Sequence, residues 1–240
     1  MIGFISSGFN PPSSLTLEEI SFMERSSKII VDSYTSPNYL KEFEGRNLFF
    51  AGRNDLEDFL WIFKEEGDVS IVIPGDSFSA TTHFTIYKEA RKRGIRVNVY
   101  HNSSIFPAAA TVLGLQLYKI GPPVSLPRFT ERFRPTSPYE KIRDNIARGL
   151  HTIVLLDTDP PMSLQEALEE LEWMEDVKSG NVFTKETRMG VVMALGTERE
   201  RISYGKIADL KRMKSEKPLT IVIPGNLHFE EAEALELFLI

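Results

Sequence analysis

The chain has 240 residues, of which 42% are hydrophobic and 26% are charged, a composition typical of a globular protein with a sizeable core. Its formal charge of −6 argues against nucleic acid and anionic membranes as partners. Cysteine is absent, which excludes disulfides, thiolate metal sites and cysteine nucleophiles. The first residues lack a basic leader and no apolar run reaches membrane-spanning length, so we expect a cytoplasmic protein.

In its first half the sequence alternates short apolar strands with helices. Strands joined by helices of ten to fifteen residues predict a mainly parallel sheet covered on both faces. The predicted strands are IGFIS (2–6), KIIVDSY (28–34), VSIVIPGD (69–76) and IRVNVYH (95–101). The predicted helices begin at the capping box Thr16–Glu19, at Asn54–Glu57, near Ala80 and near Ser104, and NLFFAG (47–52) is expected to form a turn.

The second half begins with a change in composition. GPPVSLPRFTERFRPTSPYEK (121–141) holds five of the fourteen prolines and is expected to be an extended crossing segment. The connections after it are less regularly helical, so antiparallel pairs are expected there. We predict a two-domain α/β fold with domains 1–118 and 119–240. The further predicted elements are a helix to Ala147, the strand HTIVLLD (151–157), a long helix capped by Ser163 and Glu166, the strands MGVVMAL (189–195) and LTIVIPG (219–225), and a helix from His228.

Two strands end in nearly the same phrase, IVIPGDSFSATTH (71–83) and IVIPGNLH (221–228). Glycine lets the backbone turn sharply at the end of a buried strand. In open α/β sheets, ligands bind just beyond the carboxyl ends of the strands. The two copies therefore either face one cleft from two domains or are two instances of a convenient strand exit.

Familiar catalytic motifs are missing from the sequence. It contains no glycine-rich dinucleotide fingerprint, phosphate-binding loop, HExxH or GxSxG. The four histidines are far apart, so no metal site is predicted. Composition and periodicity alone lead no further than a two-part α/β protein with a cleft.

A resemblance to a known family extends the interpretation. The chain is similar to the diphthine synthases, which belong to the tetrapyrrole-methylase-like methyltransferases, whose fold is two α/β domains flanking a cleft. The similar blocks stand in the same order and run from the first strand to the final helix. They are GDSFSATTH (75–83), HNSSIFPAAATVLGLQLYKIG (101–121), RFRPTSPYEKIRDNIARGLHTIVLLD (132–157) and IVIPGNLHFEEAEAL (221–235).

The resemblance implies a reaction and its participants. Members of this family transfer methyl groups from S-adenosylmethionine to the amino group of a modified histidine on translation elongation factor 2, leaving S-adenosylhomocysteine. No metal or covalent intermediate is needed. The resemblance also implies a homodimer, and the apolar segments 106–118 and 234–240 are candidate interfaces. The alternatives are a tetrapyrrole methylase of the same fold and a non-catalytic partner protein that binds S-adenosylmethionine.

The resemblance also implies a set of cofactor contacts. For each of them an ordinary turn, cap or core residue is the alternative. The family's GLGL turn reads SSGF (6–9) in this chain. Leu219 stands where some relatives have a histidine. Ser77 replaces a proline, which is expected to loosen the turn. The implied cofactor-binding residues are Phe9, Asp76, Ser79, Ser104, Ile105, Leu156, Leu195 and Leu219.

The catalytic base is not assigned. His101 and Asp76 are candidates only through their position in the sequence. Arg128, Arg132 and Arg134 either form a solvated charged loop or contact a carboxylate of the substrate.

Overall fold

A computed structural model describes residues 1–35 and 48–240 of the chain. Two compact units are present, Met1–Ser104 and Ile105–Ile240. The sequence predicted the boundary further along, between residues 118 and 119. The helix α4 (Ile105–Val112) accounts for the difference, because its Ala109 and Ala110 pack with apolar residues of the second sheet.

The first unit contains five strands and, among its described residues, three α-helices. The strands are β1 (Ile2–Ser6), β2 (Lys28–Asp32), β3 (Leu48–Ala51), β4 (Val69–Ile73) and β5 (Val97–Tyr100). The helices are α1 (Leu17–Arg25), α2 (Arg53–Glu57) and α3 (Phe84–Lys92), and a 3-10 helix spans Phe59–Lys64.

The first sheet is parallel throughout, in the order β3-β2-β4-β1-β5, which confirms the predicted parallel arrangement. Its strands β1 and β4 are buried along their whole length, as expected from their mainly apolar sequences. The capping box is present at α1, where Thr16 and Glu19 exchange side-chain and backbone hydrogen bonds. Because β4, β1 and β5 are parallel neighbours, their carboxyl ends lie side by side at one end of the sheet.

The second unit contains five strands and five α-helices. The strands are β6 (Val124–Leu126), β7 (Thr152–Leu156), β8 (Arg188–Met193), β9 (Arg201–Lys206) and β10 (Leu219–Ile223). The helices besides α4 are α5 (Ser137–Ala147), α6 (Leu164–Lys178), α7 (Ile207–Leu210) and α8 (Phe229–Glu236), and a 3-10 helix spans Leu117–Lys119.

The second sheet has the order β6-β7-β10-β8-β9 and is mixed. Strands β6 and β7 are parallel, while the pairs β7–β10, β10–β8 and β8–β9 are antiparallel. The antiparallel pairs expected in the second half are confirmed. The long helix α6 begins at the predicted capping box of Ser163 and Glu166.

Two local predictions in the first unit were wrong. The expected turn at 47–52 contains strand β3, which pairs with β2 at the sheet edge; Asn47 lies outside the described residues. The helix expected from Asn54 begins earlier, because the Gly52 N–H donates to the Asp55 carboxylate (2.9 Å). It also ends early, since Asp58 leaves helical geometry and the chain continues as a 3-10 helix.

The segments expected at a dimer interface contact each other within the second unit. A Cβ at Gly114 would overlap Ala234, so α4 and α8 approach closely there. Leu113 and Leu235 are buried in the same apolar cluster. Part of both segments is therefore core, while apolar side chains at their ends stay exposed: Leu117, Tyr118, Leu237, Leu239 and Ile240.

Within residues 1–35 and 48–240, no helix is long and apolar enough to cross a membrane. The same residues hold no group of three or more histidine or acidic side chains placed to bind a metal ion. Of the four histidines, His83 and His151 are fully buried, and His101 and His228 are exposed.

Candidate functional site

Two glycine turns are hydrogen-bonded to each other at the carboxyl ends of the strands of the first sheet. The Gly8 N–H donates to the Gly75 carbonyl (3.1 Å), and the Gly75 N–H donates back to the Gly8 carbonyl (2.9 Å). Both glycines have positive φ, 64° and 71°, which residues with a Cβ rarely adopt. The turn after β1 and the turn after β4 are therefore joined by hydrogen bonds, and we call this pair of turns, at Gly8 and Gly75, the ledge.

Ser77 strengthens this ledge, which corrects the expectation that it loosens the turn. Its Oγ lies 2.8 Å from the Ser6 Oγ, and its N–H donates to that oxygen (3.0 Å). Both serines are fully buried. A proline at residue 77 would have no N–H to donate. In this chain the hydrogen bonds between Ser6 and Ser77 fix the turn in place of the rigid proline ring.

Asp76 accepts three hydrogen bonds beside the ledge. Its Oδ1 accepts from the Phe78 N–H (3.2 Å) and the Ser79 hydroxyl (3.0 Å), and its Oδ2 lies 2.8 Å from Nδ1 of His101. Burial alone would raise the pKa of the Asp76 carboxyl, but these hydrogen bonds outweigh it and lower the pKa. Asp76 is therefore an ionised carboxylate, and 14% of its side chain remains exposed.

The other predicted residues of the first unit lie near Asp76 along the chain. Phe9 follows Gly8 and is half-buried, and Ser79 binds the Asp76 carboxylate directly. Ser104 is the last residue of the first unit, and Ile105 opens α4. Sequence reasoning missed Asn102, whose side-chain amide fixes the loop after β5 by donating to the Ser14 carbonyl (2.9 Å).

The three leucines predicted in the second unit lie at the same end of the second sheet, Leu156 and Leu219 packed against the core on one face and Leu195 against the core on the other. Leu156 ends β7, and Leu219 begins the neighbouring antiparallel strand β10. Leu219 is also paired with Met193, and Leu195 follows two residues later. Leu156 and Leu195 are half-buried and leave apolar surface open, whereas Leu219 is buried.

The second PG turn lies at the opposite end of these strands. Because β10 runs antiparallel to β7, its exit falls beside the start of β7. The Gly225 N–H donates to Nδ1 of His151 (2.9 Å), and the Asn226 N–H donates to the Gly149 carbonyl (3.2 Å). The repeated phrase therefore marks a strand exit in the second unit, away from Leu156, Leu195 and Leu219.

Glu231 of α8 holds that exit in place. Its Oε1 accepts from the Gln116 N–H (2.9 Å) and lies 2.9 Å from Nε2 of His151. Its Oε2 accepts from Lys119 and from the His228 N–H. Burial alone would raise the pKa of Glu231, but these donors lower it from 4.5 to about 2.

The three arginines of the proline-rich segment have different surroundings. Arg128 is bound within the unit by Glu166 and by the Pro160 carbonyl (2.9 Å). Arg132 and Arg134 are exposed, and the Arg134 guanidinium lies 5.8 Å from the centre of the Trp173 ring. Arg128 is therefore held by the fold, whereas Arg132 is exposed and the Arg134 Nε donates to the Thr130 carbonyl (3.4 Å).

Comparison with known proteins defines the class. Residues 1–211 match the family of Tetrapyrrole (Corrin/Porphyrin) Methylases. The match extends through the first sheet, the Asp76 turn and most of the second sheet. The chain therefore belongs to this family.

Comparison with individual proteins identifies the branch of this family to which the chain belongs. A diphthine synthase of Methanosphaera stadtmanae is 40% identical over 76% of this chain and 72% of its own. A diphthine methyl ester synthase of Yarrowia lipolytica is 31% identical over 98% of this chain and 88% of its own. A crystal structure assigned to a diphthine synthase of Entamoeba histolytica superposes with a TM-score of 0.87 at 28% identity, covering 100% of this chain and 98% of that one. The chain belongs to the diphthine synthases, a family of methyltransferases.

Proposed function

We propose that the chain methylates the amino group of the modified histidine of translation elongation factor 2, with S-adenosylmethionine as the methyl donor, in diphthamide biosynthesis. The similarity to diphthine synthases along nearly the whole chain supports this most strongly. An enzyme acting on a translation factor works in the cytoplasm.

In each unit, the predicted residues at the end of the sheet have side chains of a kind that suits this cofactor. Asp76 is ionised, partly exposed and able to accept further hydrogen bonds from an ammonium or a ribose hydroxyl. Ser104 supplies a hydroxyl at the start of α4. Leu156 leaves apolar surface partly exposed at the end of β7, which suits a purine ring. When bound, the cofactor supplies an activated methyl group on a sulfonium.

The tasks left to the protein are binding, orientation and exclusion of water. The ledge of Gly8 and Gly75 fixes the backbone beside Asp76 without side chains that would fill the space. Holding the amine in line with the methyl–sulfur bond is worth several kcal/mol in reactions of this type. We propose Phe9, Asp76, Ser79, Ser104, Ile105, Leu156, Leu195 and Leu219 as the cofactor-binding residues.

Label transfer tests the function against its alternatives. The chain is incubated with methyl-labelled S-adenosylmethionine and either elongation factor 2 carrying the unmethylated modified histidine or a porphyrinoid. Label on elongation factor 2 supports the proposal, and label on the porphyrinoid supports the tetrapyrrole alternative. A cofactor-dependent rise in melting temperature without label on either marks a non-catalytic binder; binding at a hundred times Kd stabilises a fold by about 2.7 kcal/mol.

We further propose that the chain forms a homodimer in solution with or without cofactor. The exposed apolar side chains at the ends of 106–118 and 234–240 support this, since Tyr118 and Leu237 are each 81% exposed. Light scattering at micromolar concentration is expected to give twice the chain mass of 27.3 kDa. A mass of one chain would contradict the dimer.

A further inference from the structure

His101 is held from one side by Asp76. It follows β5 directly, and its Nδ1 lies 2.8 Å from the Asp76 Oδ2. Because the ionised carboxylate can only accept, the hydrogen must sit on Nδ1. The neutral ring then carries its lone pair on Nε2, which makes no hydrogen bond to the described residues. The His101 side chain is 70% exposed, so this lone pair is accessible.

A surface groove leads to the same ring. It has a volume of about 460 Å³ and is lined by Thr16 and Glu18 of the α1 start, by β5 and by His101. β5 is the edge strand of the first sheet, so the groove runs beside backbone that no other described strand covers. This volume accommodates a few residues of an extended protein segment ending at His101.

The proposed reaction needs a proton acceptor beside the substrate amine. An amine of ordinary basicity is an ammonium at neutral pH, and it has no lone pair for attack until a proton leaves. Each methylated product is again an ammonium, and each except the quaternary trimethylammonium end product still carries an N–H proton. Every round of transfer therefore releases one proton, and a base that returns to the neutral form between rounds accelerates all of them.

We propose that His101 is the general base, accepting the proton of the substrate ammonium on Nε2 while Asp76 holds Nδ1. The inference depends on the proposed function. The freed nitrogen pair forms the bond to the methyl carbon, the carbon–sulfur bond breaks, and its electron pair remains on sulfur. The imidazolium then gives its proton to solvent through its exposed face. The charged groups given for this place are the Asp76 carboxylate at Nδ1 and Glu18 of the groove lining, and both are acidic.

The substitution His101→Asn separates this role from a structural one. The asparagine amide keeps a donor near the position of Nδ1, so the bond to Asp76 is preserved, but it cannot accept a proton. His228→Asn is the matched control, because His228 is the other exposed histidine and lies in the second unit. Both variants are assayed as full-length chains with elongation factor 2 and cofactor across the pH range.

We expect His101→Asn to lower kcat by about 10²-fold near neutral pH, within the usual range for a lost general base. The loss should shrink as the pH rises towards the pKa of the substrate amine, because the substrate then loses its proton unaided. Affinity for S-adenosylhomocysteine and the melting temperature should equal those of the wild type. His228→Asn should reproduce the wild-type profile.

Two results overturn the assignment while the proposed function stands. One is a wild-type pH profile for His101→Asn, and the other is a loss that is equal at every pH and accompanied by weaker cofactor affinity. Nitrogen NMR of the cofactor-free chain gives an independent readout: the hydrogen on Nδ1 supports the proposal, and a hydrogen on Nε2 of the neutral ring contradicts it. No methyl transfer by the wild type would overturn the proposed function and this inference together.

Discussion

Replacing Glu231 by glutamine is expected to destabilise the second unit by about 3 kcal/mol or more, as for other broken buried charge pairs. Both oxygens of Glu231 accept from two donors each, and the residue is fully buried. A glutamine amide would turn its NH₂ either towards Gln116 and His151 or towards Lys119 and His228. In both orientations buried donors face each other, and the Lys119 charge loses its partner.

Urea unfolding of the full-length chain measures this loss in the free energy of unfolding. Glu233→Gln is the control, since Glu233 lies on the same helix, is exposed, and should change stability by no more than about 0.5 kcal/mol. Equal midpoints for the two variants would show that the Glu231 cluster is not a stabilising centre.

Acidification is expected to remove the same contribution. The folded-state pKa of Glu231 is about 2, below its ordinary value of 4.5, so its stabilisation is fully present above about pH 4.5. It disappears as the pH falls towards 2, a shift that corresponds to about 3 kcal/mol. The difference in stability between the wild type and Glu231→Gln should narrow over this interval, and a constant difference would contradict the assignment.

Asp76→Ala is expected to weaken binding of S-adenosylhomocysteine by at least about tenfold, or about 1.4 kcal/mol. The change removes the carboxylate proposed to bind the cofactor and also releases Ser79 and His101. Both of these side chains reach water, so the fold should keep its melting temperature. Isothermal titration calorimetry measures the affinity.

Asp176→Ala serves as the control for that experiment. Asp176 is an exposed aspartate on α6 in the second unit, and its loss should leave the affinity unchanged. Unchanged affinity in a folded Asp76→Ala variant would instead assign Asp76 to the turn alone, through its bonds to Phe78 and Ser79.

The buried strands and the capped helices could be predicted from the sequence because each is encoded locally. The apolar run of β4 ends at a glycine, and Ser163 and Glu166 cap α6 within four residues. Edge strands have a weaker signal. β3, β6 and β9 are short or carry exposed and charged residues, since each pairs on one side only, and none of them was predicted.

Contacts between residues that are far apart in the chain could not be predicted from the sequence. The sequence predicts that Ser77 loosens its turn, because the hydrogen-bond partner that fixes it, Ser6, is 71 residues away. The two PG turns look alike locally, yet β4 is parallel to its neighbours and β10 is antiparallel to its own. Strand direction therefore decides that Asp76 lies at the candidate site while Asn226 lies at the far end of the second sheet.

The most direct test of the proposed function is mass spectrometry of elongation factor 2 after incubation with the chain and S-adenosylmethionine. The substrate carries the unmethylated modified histidine, and the peptide containing it is sequenced. The proposal predicts added methyl groups on the amino nitrogen of that residue, retained after mild alkali, which removes an ester methyl. An unchanged peptide, in the presence of an active diphthine synthase as positive control, would contradict it.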